Sequence, residues 1–190
     1  MSARVLDIGS GAKRDPAASV GLDYYPYPGV DVVWDLSRFP WPFGDASFER
    51  AVCHQVIEHL PTASGVAGED PFFRFFDEVW RVLEPGGTFD FDVPDRRAEM
   101  AYGDPTHRRF FAPAAFLFLW DAEKDRLYRR RLWERVSVDV ERSYGGSAPW
   151  NTWHVRRYAP FIDRVLQRAG IGEPQTIRVV LRKPNGRREK

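Results

Sequence analysis

A single cysteine, Cys53, stands in a chain of 190 residues, so no disulfide can form within it. Stability must come from an apolar core instead, and the thiol usage suits a reducing compartment, with a cytoplasmic location as the expectation. No apolar run approaches the roughly 20 residues that a helix needs to cross a bilayer. No charged segment leads into an apolar one at the N-terminus, as a secretory signal would. An excess of either charge is also missing: 28 Lys and Arg face 27 Asp and Glu, a formal net charge of +1. That balance removes a global pull toward nucleic acid or acidic lipid, so neither a nucleic acid nor a membrane is expected as a partner. There is no internal repeat. A chain of this length is expected to form one domain, 1–190.

What is present is apolar and aromatic. The chain is 43% hydrophobic and 15% aromatic, enough for a substantial core. The informative stretch is Val5-Leu6-Asp7-Ile8-Gly9-Ser10-Gly11. An apolar run that stops at two glycines is the pattern of a buried parallel strand feeding a ligand loop. Asp7 can hold that loop by accepting its N–H groups. By itself Gly-x-Gly is a weak signal, and the spacing beyond it carries the information.

Val20 to Asp23 reads as a second strand that ends on an acid. A dinucleotide fold places its ribose-binding acid about 20 residues past the glycines. Here 23 − 11 leaves 12, and Pro16 interrupts the gap, so the first crossover helix is expected to be lost or reduced to a turn. Asp31 to Leu36 reads as strand three. The proline-broken run Phe39-Pro40-Trp41-Pro42-Phe43 can be only a loop, and Phe48 to His54 reads as strand four. A helical turn is expected over 56–60 and a mobile loop over 62–69. Asp70 and Pro71 then form a cap and first position for a helix with an apolar stripe at Phe72, Phe76, Val79, Trp80 and Leu83. Pro85-Gly86-Gly87 closes it, and Thr88 to Val93 reads as strand five. Later expectations are a helix opened by Pro113, a strand over 134–142, a hairpin partner over 150–158, a helix from Pro160 and a last strand over 176–181. The order implies an α/β fold with a mainly parallel sheet.

Four segments resemble the class I S-adenosylmethionine-dependent methyltransferases, in the small-molecule, type 11-like branch. They are Val5 to Gly11; Leu22-Asp23; Asp45-Ala46-Ser47-Phe48-Glu49 running into His54-Gln55-Val56-Ile57-Glu58-His59-Leu60; and Glu78 to Gly87, with Leu83-Glu84-Pro85-Gly86-Gly87 as its tail. They cover about the first half of the chain. Two features depart from the family pattern. Lys13 replaces the third glycine of the first motif, and the first helix is truncated. A nicotinamide dehydrogenase is disfavoured, because Gly-x-Gly-x-x-Gly would need glycine where Arg14 stands.

The resemblance implies a Rossmann-like, mainly parallel sheet flanked by helices, with an antiparallel strand pair near the C-terminus, S-adenosyl-L-methionine as cofactor, and methyl transfer to a small-molecule or saccharide-like acceptor. The alternative is a non-catalytic protein of the same fold that acts in assembly or regulation. It assigns Asp7, Gly9 and Gly11 to the methionine half of the cofactor, Asp23 to the ribose hydroxyls, Tyr24 to the adenine face, and Asp35 and Leu36 to the adenine edge. His54 and Gln55 leave strand four at the sheet edge where ligands bind in open α/β sheets, facing the methyl end. His54 and His107 are the candidate general bases. The segment 94–133 is expected to be a substrate-side insertion or lid. Glu58 and His59 could be metal ligands, but neighbouring helical positions point apart, so no metal site is expected. An aromatic surface leaves a homodimer open.

Overall fold

A computed structural model describes residues 4–12, 15, 17, 20–62, 70–126, 128, 131–143 and 172–185. The strands are β1 (Val5–Ile8), β2 (Val20–Asp23), β3 (Val32–Val33), β4 (Phe48–His54), β5 (Leu83–Pro94), β6 (Glu134–Ser143) and β7 (Glu173–Arg182). They form one sheet in the order β3-β2-β1-β4-β5-β7-β6. The first five run parallel, and β7 lies antiparallel to both β5 and β6. The strand order reverses direction between β1 and β4, so the C-terminal ends of these two strands flank a switch point, the place where open α/β sheets bind ligands.

Helix α1 (Pro71–Val82) forms as its punctuation predicts. The Asp70 side chain accepts the Phe72 N–H at 2.8 Å, and Pro71 occupies the first turn. Its buried face is wider than the predicted stripe, because Phe75 is also fully buried. That face packs on Phe89 and Phe91 of β5, with ring centroids 5.7 Å apart for Phe76 and Phe91. Among the described residues two further helices are short, α2 (Met100–Gly103) and α3 (Ala122–Asp125), and 3-10 turns cover Ile57–His59 and Pro113–Leu119.

The type 11-like motifs turn out to be one structural joint. Arg81 donates to Asp45 (2.7 Å), to the Phe43 carbonyl (2.8 Å) and to Glu78 (2.5 and 3.0 Å). Glu78 in turn accepts the Trp41 N–H at 2.6 Å, which seats the buried Trp41 ring against Phe75. The acid-x-x-phenylalanine segment is thereby tied to the end of α1. Gly87 is needed for close approach: a Cβ there would lie 2.9 Å from the Glu84 carbonyl and 3.0 Å from that of Glu49 on β4. At the same end, the Lys183 ammonium donates to the Trp80 and Leu83 carbonyls, closing α1.

Several elements differ from expectation. The first crossover falls largely outside the described residues, which between Gly11 and Val20 are 12, 15 and 17. β3 is two residues long rather than six, because Asp35 accepts both the N–H and the hydroxyl of Ser37 and turns the chain out of the edge strand. β5 starts at Leu83, five residues earlier than read. The observed partner of β6 is β7. The hairpin half placed at 150–158, the helix from Pro160 and the mobile part of 62–69 lie outside the described residues, apart from residue 62. Within the expected lid, Phe111, Phe116, Phe118 and Leu119 are core residues packed on α1 and β5, so this part of 94–133 builds the fold.

Candidate active site

The loop after β1 is built by hydrogen bonds to the neighbouring strand. Gly9 and Ser10 donate their N–H groups to the Leu22 carbonyl, at 2.7 and 3.2 Å. Gly9 has φ +71°, and an added Cβ would meet Val56 Cγ2 at 2.3 Å. Glycine takes that angle without strain and leaves room for that approach. Gly11 lies beside open space and donates its N–H to Asp23 Oδ2 at 2.8 Å. Asp7 accepts the Asp15 N–H at 2.7 Å, so it restrains the loop as its position predicts.

Asp23 is 9% exposed, and its other oxygen accepts the Tyr25 N–H at 2.9 Å. A carboxylate has about four acceptor sites, so two donors leave it capacity for a ligand. The hydroxyl of Ser10 is buried in the same loop with no partner among the described residues. A buried polar atom without a partner costs free energy unless a ligand completes it. Tyr24 is 60% exposed beside Asp23 and stacks edge-on against Tyr25. Asp35 is exposed in its Ser37 turn, and Leu36 packs half-buried on the core while its carbonyl accepts the Trp41 indole N–H at 3.2 Å.

At the end of β4, Asp92 organises two of the predicted side chains. The His54 Nδ1–H donates to Asp92 Oδ2 at 2.6 Å, and the Gln55 amide donates to Asp92 Oδ1 at 2.7 Å. Gln55 sits at φ +54°, a left-handed angle for a residue with a side chain, at the point where the chain leaves the sheet. The hydrogen bond to Asp92 raises the His54 pKa above its ordinary 6.5, against the opposing effect of burial. Asp92 was not picked out from the sequence. The signal available was an acid at alternate positions, Asp90 and Asp92, inside an apolar strand.

The other candidate base, His107, is elsewhere engaged. Its Nδ1–H donates to the Ala101 carbonyl at 2.9 Å, and its Nε2 lies 3.9 Å from Glu58 Oε1. Its side chain is 7% exposed, against 43% for His54. Glu58 is fully buried, and burial pushes its carboxyl up to about 7. The expectation that Glu58 and His59 diverge fails here: one ligand-type atom from each of Glu58, His59 and His107 lies within 4.8 Å of the others. The reason is that the helical turn ends at His59, and the segment 104–109 folds over it, with the N–H groups of Arg108 and Arg109 both donating to the Glu58 carbonyl.

Comparison with known proteins agrees with this architecture. Residues 6–91 match the protein-family profile described as a methyltransferase domain. A Mycolicibacterium smegmatis protein described as a "Probable S-adenosylmethionine-dependent methyltransferase" is 37% identical over 87 residues, which span 40% of this chain and 30% of that protein. The chain thus matches less than a third of that relative's length. Among solved structures, a SAM-dependent methyltransferase from Archaeoglobus fulgidus aligns with a TM-score of 0.60 at 17% identity, over 95% of this chain and 86% of the other. One from Methanosarcina mazei aligns with a TM-score of 0.57 at 14% identity, over 97% and 94%. At such identities the structural likeness speaks for the fold, while the profile match covers the glycine loop, Asp23, the β4 edge and the Pro-Gly-Gly joint. Residues 6–91, just under half of the chain, thus match the methyltransferase domain family, and the fold of the described residues is that of the S-adenosylmethionine-dependent methyltransferases.

Proposed function

We propose that the protein transfers a methyl group from S-adenosylmethionine to a small-molecule or saccharide-like acceptor, and that His54 takes the acceptor's proton. The observation that carries this reading is the glycine loop itself: it rests on Val56 at the switch point, beside Asp23, with the buried Ser10 hydroxyl awaiting a partner. These residues fit the cofactor. The loop N–H groups and Ser10 suit its amino-acid end, Asp23 its ribose hydroxyls, and Tyr24 with Asp35 and Leu36 its adenine. Bound there, the cofactor supplies an electrophilic methyl group on a sulfonium.

The rest of the work falls to the chain. In-line displacement needs alignment at near-attack distance and exclusion of water. A hydroxyl acceptor also needs a base. Because the Asp92 carboxylate accepts the Nδ1–H, His54 keeps its lone pair on Nε2, and its partly exposed ring can reach an acceptor. His107 is the weaker candidate, being nearly buried against Glu58. Tyr102 and Phe110 stack with centroids 4.7 Å apart while both remain exposed, and such ring faces suit planar or sugar-like acceptors.

The test is label transfer from methyl-labelled cofactor to a panel of hydroxylated small molecules and saccharides. Transfer by the wild type, cut roughly 100-fold or more in His54→Gln, is the expected result. Transfer that persists unchanged in His54→Gln would remove the histidine from the proposal. Failure with every acceptor by a cofactor-binding protein would point instead to a role in assembly.

A further inference from the structure

We infer that Glu58, His59 and His107 form a binding site for a divalent transition cation of the zinc class. The ligand atoms already lie within 4.8 Å of one another, so a small contraction would bring them to the spacing of a common centre. Glu58 is the strongest pointer. It is 0% exposed, and among the described residues no donor from another residue reaches either carboxylate oxygen within hydrogen-bond distance. A charge so buried is expensive unless it is paired or coordinates a metal. Its nearest basic atom, His107 Nε2, stands off at 3.9 Å, too far for a hydrogen bond.

The two imidazoles are prepared for the same role. The His107 Nδ1–H donates to the Ala101 carbonyl, which can only accept, so the lone pair is on Nε2, the atom that faces Glu58. The Thr106 hydroxyl donates to Asp104 at 2.6 Å, so its oxygen accepts the His59 Nδ1–H at 2.9 Å. His59 is thereby also left with its lone pair on Nε2. Histidine ligands oriented through the other ring nitrogen by a carbonyl or a carboxylate-linked partner are the usual arrangement at metal centres. The rings also pack edge to face, with centroids 4.7 Å apart.

Two imidazoles and one carboxylate select the cation. Zinc, cobalt, manganese and iron(II) accept that mixed set, whereas magnesium and calcium demand oxygen ligands. A metal here would bridge the turn after β4 to the segment 104–109. The turn belongs to the donor side of the site, since Val56, two residues before Glu58, contacts Gly9. Three protein ligands leave coordination positions for water or for an oxygen of the acceptor. This last point rests on the methyl-transfer reading, while metal binding does not.

The experiment is titration of tag-free, chelator-treated protein with Co²⁺, followed by its visible absorbance, with Zn²⁺, Mg²⁺ and Ca²⁺ as competitors. One equivalent of Co²⁺ should bind and be displaced by Zn²⁺ but not by Mg²⁺ or Ca²⁺. Glu58→Gln and His107→Gln should each weaken binding tenfold or more. Thr106→Val, an exposed change that removes the support of His59 together with the hydroxyl's bond to Asp104, should weaken it about tenfold. Circular dichroism of each metal-free variant reports folding. The inference is overturned if folded wild-type protein fails to bind Co²⁺ and Zn²⁺, or if Mg²⁺ competes equally. It is also overturned if folded His107→Gln and Thr106→Val bind as the wild type does.

Discussion

His54 Nδ1 lies 2.6 Å from Asp92 Oδ2, and the two residues are register partners on the parallel strands β4 and β5. The pair fixes the ring orientation and raises the His54 pKa above 6.5. A raised histidine pKa means that the charged pair stabilises the fold fully below the unfolded value. That contribution is lost as pH rises through the folded value. Imidazole resonances followed by NMR should give a His54 midpoint above 6.5, and Asp92→Asn should bring it down. The fall in stability on going from about pH 6 to pH 8 should shrink in the same variant. If His54 is the base, the methylation rate rises with pH through the wild-type midpoint.

Gly9→Ala should impair both fold and ligand loop. The backbone at φ +71° costs about 1–3 kcal/mol for a residue with a side chain. The new Cβ would also press on Val56 at 2.3 Å. Thermal denaturation should show the loss of stability, and calorimetry at least a tenfold weaker affinity for S-adenosylhomocysteine. Adding Val56→Ala should recover part of the stability, since it relieves the contact but not the backbone angle.

Away from the site, Asp90 joins three strands. Arg178 of β7 grips it with donors at 2.8 and 2.9 Å, and Arg50 of β4 adds one at 3.2 Å. Burial alone would raise its pKa, but the hydrogen bond and charge of Arg178, with the charge of Arg50, lower it overall. A depressed carboxyl stabilises the fold above its unfolded value of 3.8, and the benefit fades as pH falls through the folded value. Asp90→Ala should cost about 2 kcal/mol by urea denaturation at neutral pH, and the difference from wild type should narrow in acid.

Local punctuation explains which parts were legible. β2, β4 and the start of α1 lie where predicted because Asp23, His54, Asp70 and Pro71 act within a turn of where they stand, whereas α1 ends at Val82 and Pro85-Gly86-Gly87 lies inside β5. The role of Asp92 was hidden because it depends on the register of β4 against β5, which no local pattern encodes. The Glu58, His59 and His107 cluster was hidden for a related reason. It closes only when Arg109 pairs with Asp70 at 2.6 Å and lies over Phe72, docking the segment after α2 on α1. Phe116 and Phe118 fall in the expected lid segment because aromatic composition does not say whether a partner face exists, and β5 and α1 supply one.

The central claim, that the loop from Gly9 to Gly11 and Asp23 hold S-adenosylmethionine, is tested most directly by calorimetry with S-adenosylhomocysteine. The account predicts saturable one-to-one binding by the wild type, weakened at least tenfold in Asp23→Ala, which removes the acceptor for the ribose and for the Gly11 N–H. Folded wild-type protein that produces no binding heat and no thermal shift with this ligand would contradict it.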